Sequence, residues 1–170
     1  MRLFLLLVSL VILFAPPLRA EEECELPPQL VVAIEHQWRG WKVLHIADLA
    51  PEDQNLWTYA RGRICPGASK SHFLDADSLS YAIAVIRDQQ EAVLLASESA
   101  SKWLIRTVLP PRRVDRFHVI WAAKPGTYTD KLTGRNVQAI SYAIGYEEMG
   151  GDVTLFVRQK NRFVPVRTAE

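Results

Sequence analysis

Apolar residues in this chain follow a helical rhythm early and an alternating one later, after an apolar run at the start. That run covers residues 3–14 and is broken only by Ser9. Arg2 precedes it, and Pro16-Pro17 and the small Ala20 follow, ahead of Glu21, Glu22 and Glu23. A charged start, an apolar core and a small-residue end predict a secretory signal peptide over residues 1–20. The run is too short to span a hydrocarbon core, which needs about 20 residues.

Beyond it, Pro27-Pro28 open a predicted helix with Leu30, Val31, Ile34 and Trp38 at helical spacing, ended by Gly40. Residues 41–47 (WKVLHIA) alternate as a strand. A second helix is predicted over 51–60, with Glu52 and Asp53 in the first turn, where the helix dipole favours acids. After Cys65-Pro66-Gly67 the pattern becomes strand-like: 79–87, 91–97, 102–109, 116–122, 136–146, 152–158 and 162–168 are predicted strands. Breakers such as Pro110-Pro111 and Pro125-Gly126 separate them, and the last two linkers are short enough for hairpins. Val153, Leu155 and Val157 share one face, with Phe163 on the other. These elements predict one α+β domain over 21–170, two N-terminal helices packed on a mostly antiparallel β-sheet.

Without Arg2 and Arg19, Lys+Arg falls from 20 to 18 against 19 Asp+Glu. So even a balance carries no electrostatic footprint for nucleic acid and no polybasic cluster for an anionic membrane. Cys24 and Cys65 are the two cysteines. In an exported chain they predict a disulfide tying the N-terminal segment to the body, consistent with a secreted or periplasmic protein. No C-x-x-C spacing supports a redox or metal pair. A lipid-bearing cysteine would be the first residue after cleavage; Cys24 is the fourth, so no membrane anchor is expected after the leader is removed.

Candidate chemistry is sparse. Asp75 and Asp77, in the turn at residues 72–80, are weak candidates for a calcium site, but the EF-hand pattern fails at Leu79, Ser80 and Ile86. A polar hairpin with aspartates bonded to local N–H groups fits better. His36, His45, His72 and His118 have no zinc-type spacing; a lone strand histidine is more often partly buried and hydrogen-bonded. Serines near His72 lack a G-x-S-x-G turn, and no glycine-rich phosphate loop or cofactor motif is found. No catalytic residues are assigned. Trp38 and Trp41, and Arg112 and Arg113 after Pro110-Pro111, are the candidate binding residues, because Trp and Arg are enriched at interface hot spots. Corner packing and a solvated loop are the plainer alternatives.

The W-R-G-W corner with Val43 to Ile46 and Asp48-Leu49, the Cys65-Pro66-Gly67 step, Phe73 to Asp77 running into Tyr81-Ala82, and the closing Leu155-Phe156-Val157 and Asn161-Arg162-Phe163 resemble a loose group of uncharacterised secreted bacterial single-domain proteins. The middle segment is similar to a degenerate FG-GAP repeat of integrin-type propellers, without two glycines and one aspartate of its calcium loop. The resemblance implies a β-rich domain and no particular activity.

The expectation is an exported non-enzymatic binding protein, an inhibitor or immunity-type factor acting on a partner protein in the cell envelope. Two alternatives stand beside it: a small envelope hydrolase using His72 with Asp75 or Asp77, and a structural envelope component.

Overall fold

In the computed structural model, which describes Cys24 and residues 26–168, strands make up 48% of the described residues and helices 17%, so β-structure dominates. The predicted signal peptide lies outside the described residues. Helices α1 (Pro28–Gln37) and α2 (Pro51–Arg61) form close to their predicted places, each with proline in its first turn. Between them the predicted strand shrinks to β1 (Lys42–Val43), followed by a 3₁₀ turn, Ile46–Asp48. The His45 N–H donates to Asp48 Oδ2 at 3.0 Å, which diverts the chain from an extended path.

Strands β2 (Ala68–Ser71), β3 (Ser80–Arg87), β4 (Gln90–Ser99) and β5 (Lys102–Arg113) join β1 in a five-stranded antiparallel sheet with β5 at its edge. The chain then passes through β6 (Val119–Ala123), β7 (Gly126–Thr129), β8 (Asn136–Ala139), β9 (Ala143–Glu147), β10 (Val153–Gln159) and β11 (Arg162–Thr168). A second sheet has the order β11-β10-β9-β6, while β7 and β8 form a separate ribbon.

Burial explains the stacking. Ala82, Ala84 and Ile86 of β3 and Val93 and Leu95 of β4 face inward to meet Ile144, Tyr146 and Phe156 of the second sheet. The alternate residues Ile83, Val85, Leu94 and Ala96 face outward and are covered by Leu30 and Ile34 of α1. Beyond the second sheet, Val153, Leu155 and Val157 pack with Ala139 of the ribbon and with partly buried Tyr128 and Val137. Helix α2 sends Trp57 into the inner core and leaves Tyr59 exposed.

The expected α+β class, two helices packed on one mostly antiparallel sheet, is therefore corrected. The strands divide between two facing sheets and a ribbon, and the helices are minor covers. β3 and β4 are buried on both faces, which requires a layer on each side; one helix supplies the outer layer and a second sheet the inner one.

Local differences have equally local causes. Pro110 and Pro111 lie inside β5, tolerated because an edge strand has one side without ladder hydrogen bonds. The predicted 136–146 strand is two strands, β8 and β9, interrupted where the Ser141 hydroxyl bonds the Phe73 carbonyl at 3.1 Å. β2 and β7 were not expected from the pattern. Two glycines permit close approaches. A Cβ at Gly67 would lie 2.3 Å from the Leu44 carbonyl oxygen, and one at Gly145 would lie 2.4 Å from the Trp121 ring.

Cys24 and Cys65 form the expected disulfide, with Cα atoms 4.8 Å apart, and fasten the segment before α1 to the core. Among the described residues, no helix is long and apolar enough to cross a membrane.

Candidate functional site

β4 and β5 do not run in step. Leu95 pairs with Arg106 and Glu91 with Arg112, so β5 contains two more residues than β4 over the same stretch. These bulges leave Arg106, Leu109 and Arg112 on the inner face, opposite Leu95, Val93 and Glu91. Across the gap, Thr154, Phe156 and Arg158 of β10 share their face with Arg167, Pro165 and Phe163 of β11. The two edge strands thus bound a seam with an apolar floor and an arginine rim.

One half of the seam is a cavity of about 350 Å³ lined by Leu109, Arg112, Tyr146, Phe156, Pro165 and Arg167, among others. Glu91 lies beneath it, 2% exposed. Arg112 donates to Glu91 Oε1 from Nε and Nη2, at 3.2 and 3.1 Å. The Tyr146 hydroxyl donates to the same oxygen and accepts from Arg112 Nη2. The His118 N–H donates to Glu91 Oε2 at 3.1 Å, and its Nδ1 lies 3.0 Å from Oε1. The His118 ring stacks on Tyr146 at 4.2 Å, and the Arg112 guanidinium lies 5.0 Å from the Tyr146 ring centre.

Chemically, this arrangement holds groups in place. Both carboxylate oxygens of Glu91 are occupied by donors, which leaves it poorly disposed to take a proton from a substrate. Arg112 is immobilised from below yet 43% exposed, and its Nη1 makes no hydrogen bond with a described residue. A second pinned arginine supports the same connection. Arg116, between β5 and β6, donates to the buried Asp53 at 3.1 and 2.5 Å and raises the hold on its own proton. The crossover between sheets is therefore tied down on both sides of residues 113–115.

The candidate residues fall in different places. Arg112 belongs to the seam; Arg113 is one position on, facing the other way and exposed beside Gln90. Trp38 and Trp41 meet edge to face at 5.3 Å and pack on the outer core under α1, with Arg87 5.1 Å from the Trp41 ring centre. They do not converge with Arg112. Asp75 accepts from the N–H groups of Asp77 and Ser78 and from the Ser78 hydroxyl, closing an exposed polar turn between β2 and β3. The Ser78 hydroxyl is the main reason its carboxyl is held below the usual aspartate range. No group of metal-ligating side chains is found among the described residues. His72 makes no hydrogen bond with Asp75 or Asp77, and its Nδ1 is buried without a partner among the described residues.

Glu91, Tyr146, Arg106, Arg158 and Arg167 escape sequence reasoning because they converge through tertiary pairing. The available signal is Glu91 itself, the one carboxylate opening the apolar EAVLLAS run. Such a position asks for a cationic partner if buried. No protein-family model, curated protein or solved structure matches the chain.

Proposed function

We propose that this chain is an exported, non-enzymatic binding protein that docks on a partner protein in the cell envelope, with Arg112 as its anchor. The observation that carries the reading is the held guanidinium: Glu91 fixes Arg112 from beneath while Nη1 stays available beside a cavity floored by Phe156 and Pro165 and edged by Asp130 and Arg167. A pre-positioned arginine loses little side-chain freedom on binding, which is the property of a hot-spot residue. The leader pattern and the disulfide support action in an oxidising compartment. An inhibitor or immunity-type role is the form of binding that suits a small disulfide-tied chain with a pre-positioned anchor.

The test is affinity capture from envelope extract with the wild-type chain and with Arg112→Ala, each checked for folding by circular dichroism. A protein retained by the wild type and lost with Arg112→Ala supports the reading. Capture of nothing, or equal capture by both, overturns it.

A further inference from the structure

The other half of the seam is a separate cavity of about 250 Å³, lined by Arg106, Thr107, Arg158, Asn161, Arg162 and Phe163, among others. Arg106 of β5 and Arg158 of β10 reach it from the inner faces of their strands, whereas Arg162, paired with Gln159, borders it from the other face of the hairpin. None of their guanidinium groups makes an ion pair or hydrogen bond with a described residue. This contrasts with Arg112 and Arg116, each of which is matched to a buried carboxylate. Asp75, next to Leu74 of the lining, feels Arg158 only as the weakest of the causes acting on its carboxyl and is already committed to Ser78.

Gathering like charges around a concave surface is unfavourable unless something of opposite sign occupies it, and such a cleft concentrates anions. Guanidinium is the group best suited to this task, since its planar fork gives paired N–H donors to an oxyanion. The Asn161 amide adds a neutral donor on the same lining. Leu74 and Phe163 give one wall an apolar surface, suited to the organic part of an ester. We propose that this cavity binds a tetrahedral oxyanion, a phosphate or sulfate group, with Arg106 and Arg158 as its ligands. The site uses neither Arg112 nor Glu91 and stands independently of the docking reading.

The experiment is calorimetric titration of the folded chain with sodium phosphate, sodium sulfate, glycerol 3-phosphate and sodium acetate, at one ionic strength fixed with chloride. Saturable one-to-one binding of phosphate or sulfate, at least tenfold tighter than acetate, is expected. Tighter binding of glycerol 3-phosphate identifies an ester as the ligand; equal binding identifies the free anion. Arg106→Gln and Arg158→Gln each weaken binding by about tenfold or more, while Arg135→Gln, on the ribbon turn, does not. Should a variant fail to fold, the wild-type arginine Nε–H resonances decide, shifting on titration at Arg106 and Arg158. Absence of saturation by about 10 mM, phosphate binding no tighter than acetate, or shifts confined to other arginines overturns the proposal.

Discussion

Glu91 and Arg112 stand directly opposite each other in the β4–β5 ladder, the carboxylate sealed inside and the guanidinium half in water. Breaking a buried pair leaves the surviving partner and its hydrogen-bond network uncompensated. Glu91→Ala is expected to destabilise the chain by about 3 kcal/mol, the low end for such pairs because Arg112 is partly solvated. Arg112→Ala and the double variant complete a cycle in denaturant unfolding. The double variant should be less destabilised than the sum of the singles; strict additivity would show that the pair is not energetically coupled.

Gly145 lies opposite Trp121 in the β6–β9 ladder and lets the indole lie flat on the backbone. The Trp121 Nε1–H donates to Glu147 at 2.9 Å, which restrains the ring from swinging aside. Gly145→Ala should therefore cost about 2 kcal/mol of overpacking, seen as a fall of roughly 4–8 °C in Tm. Trp121→Leu in the same background should recover part of that loss. A Gly145→Ala protein melting with the wild type would refute the close-contact account.

Reduction of Cys24–Cys65 opens a loop with a sequence separation of 41. The chain-entropy model gives about 4 kcal/mol of lost stability. Because the bond anchors the entry to α1, hydrogen exchange after reduction should accelerate first in α1 and β1 and later in β4 and β9. Uniform acceleration would mean that α1 is held by its packing on Ile83 and Leu94 alone.

Two exposed turns give a pH dependence whose sign is fixed. Asp75 is held below the ordinary aspartate range chiefly by the Ser78 hydroxyl, and Asp130 by the Leu132 N–H and then the Thr133 hydroxyl. Such a carboxyl binds fewer protons in the folded chain than in the unfolded one. Its contribution to stability is full above about pH 4 and is lost as pH falls through the folded values. Asp75→Asn with Asp130→Asn should flatten stability against pH below about 4 while leaving the slope from pH 5 to 7 unchanged.

The sequence shows where strands are, and leaves open which strands meet. Alternation at Val153, Leu155 and Val157 places β10, and the near-continuous apolar runs of β3 and β4 mark buried strands. Nothing local tells that Leu95 and Phe156 belong to opposite sheets, which is why one sheet was expected instead of two. Pro110-Pro111 look like a terminus unless β5 is known to be an edge. Arg112 was legible as a candidate because it follows a stiff dipeptide. Its partner was not: Glu91 resembles any polar residue beginning a strand until β5 and the crossover close over it. Arg106 and Arg158 are far apart in sequence and meet only through the packing of the two sheets.

The bulges in β5 have a geometric consequence. Between the Leu95–Arg106 and Glu91–Arg112 pairs, β5 carries two residues more than its neighbour, a surplus arc of about 7 Å of extended chain. A longer strand laid beside a shorter one must bow, as the slack side of a bent lath does. The gap between the edge strands is then a product of mismatched contour length, and the arginines are its tenants. A variant shortened by two residues within 107–111 would straighten the arc and draw β5 toward β11 with every arginine still present.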